Sequence, residues 1–300
     1  MKIKGIHAAP ALLIATAALL TAAHLINIES ISKNTNVYLT QMVMELIVLG
    51  VPAAFFCLLR GGGYIEGLRL RGMGARHLTL TVWAFLFLAG GVTLLSLGMY
   101  LLFPNAFAAS SLTSGAVGDG TGLYMLIAFA LLPALLLEFL FRGVVCAEYA
   151  TYGAGIAVLL SSLSFGLLHF SFVRLPIWFF MGLVLALTAG AARSLLPAIL
   201  VHGLGNTLLL FGEPYLYRIA AKHSGGLVLF TFFIGALTLV SAIMFFSRAE
   251  GLYYEYGTAN LPPPLIRKRG KQELPLFAQA MFSPTFLLFV LFAVILAAIS

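Results

Sequence analysis

LLPALLLEFLFRGVVCAE, residues 131–148, sets a carboxylate, Glu138, and a guanidinium, Arg142, in a run of Leu, Phe, Val and Ala. An unpaired charge at the centre of a bilayer costs at least about 2.5–3.5 kcal/mol, so ionisable groups in an apolar span pair up or face a wet interior. The two are four residues apart, which places them on one helix face within salt-bridge reach. The same interval returns between Phe165 and His169 and between His202 and Asn206. Three apolar segments thus each carry polar groups in helical register.

The surrounding chain is as apolar as this stretch. Of 300 residues, 61% are hydrophobic and 9% charged, against about 25% charged in soluble domains. That excludes an ordinary soluble enzyme and predicts an all-α, polytopic transmembrane bundle. The two cysteines, Cys57 and Cys146, sit in apolar runs with no spaced Cys/His cluster, and read as small core residues. The net charge of +7 reflects orientation in a membrane rather than affinity for nucleic acid.

Nine segments are long and apolar enough to span: 8–26, 37–59, 77–103, 123–147, 154–172, 175–192, 195–211, 227–246 and 277–299. Eight remain if the first is removed as a signal peptide or one fails to cross. With the N-terminus inside, twelve Lys and Arg fall on the cytoplasmic side and four, Lys33, Arg174, Arg218 and Lys222, fall outside. That bias predicts a multi-pass cell-membrane protein with a cytoplasmic N-terminus. One integral domain is expected, with N-terminal helices over 1–122, a core over 123–212 and C-terminal helices over 213–300. The stretch 247–275, with Pro262–Pro264 and Arg267, Lys268 and Arg269, reads as a basic cytoplasmic linker that meets anionic lipid headgroups.

Each intramembrane polar residue has a plain reading beside a functional one. Glu138 and Arg142 fit a structural ion pair or a proton-handling site. A lone His fits a packing residue bonded to a carbonyl, but two His, an Asn, a Glu and an Arg on nearby helices point to convergence. Gly166, Gly203 and Gly205 favour it by permitting close helix approach. At 1.5 Å per residue His202 lies about 10 Å deep and Glu138 about 13 Å, whereas His169 comes out near 22 Å. Glu45 is a weaker candidate partner. His24, at the end of the first span, reads as a loop contact, and His77 and His223 as solvated loop residues. Glu148 lies three turns from this level, too far to serve it.

The three segments resemble the CPBP family of intramembrane proteases, which includes the prenyl (CAAX) endopeptidases and bacteriocin-processing or immunity proteins. The family pattern is Glu-Glu-x-x-x-Arg, then Phe-x-x-x-His, then His-x-x-x-Asn/Asp. Here the second appears as Phe165 and His169 and the third as His202 and Asn206, and the resemblance spans about residues 123–212. The first departs from the pattern. Glu138 takes the second Glu position and Leu137 stands at the first.

The resemblance implies a CPBP-like core and an endopeptidase acting on a membrane-associated or lipidated peptide. It implies His169 as a water-activating or metal-binding residue, His202 and Asn206 as oxyanion donors, and Glu138 with Arg142 as a supporting pair beside Phe165. Leu137 removes the family's principal base, which implies impaired activity; Glu45 is a possible surrogate. A divalent ion such as zinc, held by His169 and His202, is a further expectation, since catalytic zinc sites use three protein ligands and an open position. Two other readings stay open, a non-catalytic relative that binds a membrane partner and a small-solute or proton transporter. No inverted repeat supports the last.

Overall fold

The computed structural model describes residues 5–25, 36–66, 68, 70, 72–109, 122–221, 225–259 and 270–299. Ten helices carry the architecture, and no strand occurs among the described residues. They are α1 (Gly5–Leu25), α2 (Val37–Arg60), α3 (Ala75–Leu102), α4 (Gly122–Ala150) and α5 (Ala154–Leu167). The remainder are α6 (Leu175–Ala192), α7 (Leu195–Ala221), α8 (Gly225–Thr258), α9 (Gly270–Met281) and α10 (Pro284–Ile299). Short helical turns occupy Gly62–Glu66 and Pro104–Ala109.

Seven of these helices are long and apolar enough to cross a membrane, and eight if the pair 274–281 and 284–298, bent by 54°, forms one span. Each of the nine expected segments contains a helix among the described residues, but the ninth is broken at Phe282 and Ser283. The fifth stops at Leu167 after 14 residues, about 21 Å at 1.5 Å per residue and short of a bilayer core. The chain is a multi-pass helical membrane protein.

α3 lies centrally against α6, α7 and α8, while α4 is flanked by α5 and α7. α1 packs on α10, α2 and the end of α4. Because the surroundings of the bundle are apolar, close packing rather than hydrophobic exclusion holds these faces together. Gly182 on α6 shows how close: a Cβ there would lie 2.9 Å from Ser162 Cα and 3.0 Å from Ser162 O on α5.

Two prolines explain local departures from regular winding. Pro52 in α2 and Pro133 in α4 each lack an N–H and crowd the carbonyl four residues back. A wide π-turn precedes each, over Leu46–Gly50 and Ile127–Leu131. α4 has a second wide turn without a proline, over Phe139–Val145, which encloses Arg142. Such turns recur at functional sites.

Helix ends are clamped by polar contacts. Arg60 at the end of α2 pairs with Glu148 at the end of α4, so Glu148 serves a structural pair, away from the level of Glu138. At the start of α3, the Gly74 N–H donates to His77 Nδ1 (3.2 Å), so Nε2–H donates to the Tyr256 hydroxyl (3.2 Å). Tyr256 in turn donates to Ala191 O (3.0 Å).

This corrects two expectations. His77 is buried, not solvated, because α8 continues as far as Thr258 and lays Tyr256 over it. The expected linker 247–275 is correspondingly helical on both sides, up to Thr258 and again from Gly270. Its Pro262–Pro264 and Arg267–Arg269 lie outside the described residues, as do Lys2, Lys4, Lys33, Arg69, Arg71, Lys222 and His223.

Candidate active site

α4, α5, the α5–α6 turn and α7 bring Glu138, Arg142, Phe165, His169 and His202 together, with Asn206 one turn beyond His202 on α7. Glu138 Oε1 accepts from Arg142 Nη1 at 2.8 Å and from His202 Nδ1 at 2.8 Å. Arg142 Nη2 donates to Gly182 O at 2.8 Å, a contact that the bare Gly182–Ser162 crossing makes possible. Glu138 and Arg142 side chains are fully buried, so each charge relies on the other and on these hydrogen bonds. Glu138 Oε2 is buried with no protein partner among the described residues.

Phe165 is the platform beneath the cluster. Its ring lies 4.7 Å from the Arg142 guanidinium carbon and meets His169 at 4.8 Å and His202 at 5.5 Å, centroid to centroid. Edge-on ring contacts and a cation over a π-face are both favourable. Phe141 closes the other side of the ring at 5.4 Å.

His169 lies beyond the end of α5, in a turn where Phe170 adopts a φ of 47°. The turn folds the imidazole back, so that Nδ1 donates to Phe165 O at 2.7 Å and the ring stacks on Trp178 at 4.3 Å. A residue counted along a straight helix would overshoot the level of Glu138; the turn removes that mismatch. His169 is half-buried, whereas Glu138, His202 and Asn206 are buried.

On α7, Gly203 lets α4 approach: a Cβ there would meet Leu131 Cδ2 at 3.3 Å and Ala134 Cβ at 3.8 Å. One turn on, Asn206 Nδ2 donates to Ala130 O at 3.4 Å, a long bond that leaves the amide free to take a better partner. Leu137 is buried in the apolar core beside Glu138 and brings no polar atom.

Glu45 stands apart. It bonds to Gln41 at 2.9 Å and faces a cavity of about 80 Å³ between α1 and α2, lined by Leu20, Ala23, Met44, Val48 and Leu49. The structure does not bring it to His169, His202 or Asn206.

The donor set does not match a three-ligand metal centre. No group of three or more His, Cys, Asp or Glu is disposed around a common point among the described residues. Each imidazole has one ring nitrogen engaged, His202 by Glu138 and His169 by Phe165 O. The carboxylate oxygen nearest them already accepts from two donors.

The sequence pattern did not single out Trp178, Gly182 or a second buried ion pair. Arg174 Nη2 donates to Glu213 Oε1 at 2.7 Å and to Phe107 O at 3.2 Å, with the guanidinium 4.3 Å from the Phe107 ring. Arg174 had the pattern of an outside loop residue, yet it is 2% exposed, because the short helix Pro104–Ala109 folds over it. Arg174 closes the turn that carries His169, so the pair anchors that turn to α7. A carboxylate at Glu213, eleven residues after His202 and so nearly on the same helix face, was the available signal.

A carboxylate on α4, an imidazole in the α5–α6 turn, and an imidazole and an amide on α7 give this polytopic membrane protein a polar site within its apolar bundle. Residues 119–208, the segment holding all of these groups, match the family described as type II CAAX prenyl endopeptidase Rce1-like, so this segment is similar to that family of intramembrane proteases. No curated protein and no solved structure matches the chain.

Proposed function

We propose that the protein is a CAAX-protease-like intramembrane endopeptidase that hydrolyses a peptide bond in a membrane-associated or lipidated peptide. One observation carries this reading: Glu138 bonds to His202, and His202 and His169 both meet the Phe165 ring, although these residues come from three separate segments. Peptide hydrolysis needs a proton acceptor for water and donors for the developing oxyanion, and this set contains both. The bond to be cut arrives from within the membrane or at the end of the bundle that bears Arg60 and Glu148. The positive-inside bias makes that end cytoplasmic, where basic segments meet anionic headgroups.

Leu137 sets the rate. With an apolar side chain at the first Glu position, the protein works well below a relative that carries the carboxylate. A second reading, a non-catalytic binder of a membrane partner, is favoured by the same Leu137.

Turnover of prenylated and unmodified peptides by the purified protein in nanodiscs separates the two. Activity abolished by His169→Ala establishes the peptidase. An inert natural protein in which Leu137→Glu creates activity requiring His169 establishes a protease fold that has lost its base. Inertness of every variant refutes hydrolysis and leaves the binder.

A further inference from the structure

We propose that His202 is the general base of this site, taking the place of the carboxylate missing at Leu137, and that oxyanion donation falls to Asn206. The inference rests on the peptidase reading above and changes the role that the family resemblance implies for His202.

The 2.8 Å contact between His202 Nδ1 and Glu138 Oε1 holds one hydrogen. Glu138 faces the Arg142 guanidinium on the same oxygen, and a carboxylate only accepts. The hydrogen therefore belongs to Nδ1. A neutral imidazole has one such hydrogen, so Nε2 carries a lone pair and accepts. For Nε2 to donate as well, His202 must be an imidazolium. Glu138, Arg142 and His169 are the ionisable groups around it, so an imidazolium would leave one carboxylate against two buried cations. His202 is 1% exposed, and an excess buried charge is strongly disfavoured. In the neutral ring Nε2 is therefore the acceptor nitrogen.

His169 has the same tautomer, because its Nδ1 faces the Phe165 carbonyl, which also only accepts. The two rings differ in what stands behind them. In the reaction the imidazolium forms together with the oxyanion, so the site gains no net charge, and the carboxylate behind His202 stabilises that cation more than the carbonyl behind His169. A carboxylate that orients an imidazole and stabilises its charged form is the arrangement of hydrolytic triads. Glu138 itself is a poorer candidate, since Arg142 occupies the same carboxylate. Glu45 is in another cavity.

The step balances without a further reactant. His202 Nε2 takes a proton from water as the water oxygen bonds to the scissile carbonyl carbon, and the C=O π pair moves onto oxygen. Asn206 Nδ2, released from its 3.4 Å contact with Ala130 O, donates to that oxyanion. The intermediate then re-forms C=O and breaks C–N, while His202 returns the proton to the leaving nitrogen. A carboxylic acid and an amine result, and the imidazole is regenerated.

Two measurements test this. In ¹⁵N-histidine NMR of the natural protein in lipid, the His202 signals, identified by their loss in His202→Gln, should show a protonated Nδ1 and an unprotonated Nε2. A protonated Nε2 overturns the proposal and restores the donor role. In the turnover assay, His202→Gln retains N–H donors at similar reach but no base. Its rate should fall by about 10²–10⁴-fold, as loss of a general base does. Near-natural turnover by this variant overturns the base role and leaves the peptidase reading intact. If the natural protein is inert and only Leu137→Glu is active, both the base role and the natural peptidase activity fail.

Discussion

Replacing Gly182 with alanine tests the packing logic of the site directly. The new Cβ would sit 2.9 Å from Ser162 Cα, 3.0 Å from Ser162 Cβ and 3.0 Å from Ser162 O. Carbon atoms in contact prefer about 3.5–4.0 Å, so α5 and α6 must part by about 0.5–1 Å. Two of the three obstacles are backbone, so no side-chain rotation relieves them. Overpacking of this kind costs about 1–3 kcal/mol. The same movement carries the Gly182 carbonyl away from Arg142 Nη2, now at 2.8 Å. Weakening that charged, buried hydrogen bond adds about 1–3 kcal/mol. Gly182→Ala should therefore destabilise by about 2–6 kcal/mol, the sum of these two contributions. SDS-induced unfolding in mixed micelles reads this, with Gly98→Ala as the control. A Cβ at Gly98 in α3 meets nothing within 4 Å, so that change should be neutral or stabilising by up to about 1 kcal/mol. Equal unfolding midpoints for the two variants would refute the close-crossing argument.

Three further outcomes are expected. Glu138→Ala leaves Arg142 buried without its carboxylate and should cost about 3–5 kcal/mol, while the double change Glu138→Leu with Arg142→Met should cost less; an additive pair in a double-mutant cycle would sink the ion-pair reading. Arg174→Leu should likewise destabilise by about 3–5 kcal/mol, with part recovered on adding Glu213→Leu, and the same unfolding assay decides it. Tyr256→Phe removes the link between His77 and Ala191 O and should lose about 0.5–1.5 kcal/mol, an effect smaller but still present where His77 is already replaced by Phe, because the bond to Ala191 O is lost either way.

The parts of this protein that were legible in sequence are those set by local periodicity. Apolar length marked the spans, and four-residue spacing put Glu138 beside Arg142. Contacts that depend on where a helix stops were not legible. His169 looked too deep because α5 ends at Leu167 and the following turn reverses the chain, and nothing in the apolar run SLSFGLLHF announces that stop. Arg174 counted as an outside charge because a span boundary is read from hydropathy, whereas its burial depends on Phe107 from a distant segment and on Glu213. His77 appeared solvated because the apolar pattern of α8 fades near residue 246, although its helix and its Tyr256 continue. The engagement of His202 by Glu138 needed a distance, since spacing fixes faces within a helix and says nothing of azimuth between helices.

The wide turn at Phe139–Val145 has a consequence for how this site can change. Such a turn holds one residue more than regular winding requires, so a single-residue deletion there can be absorbed by a return to α-helical pitch. The flanking arms, Leu132–Glu138 and Cys146–Ala150, would keep their facing, and the Arg60–Glu148 clamp would survive. Only the side chains inside the turn would swing, each by about 100°, and Arg142 is among them. In α4, the geometry of the polar site is therefore encoded partly in chain length, and an insertion or deletion can reset it while the rest of the bundle stays unchanged.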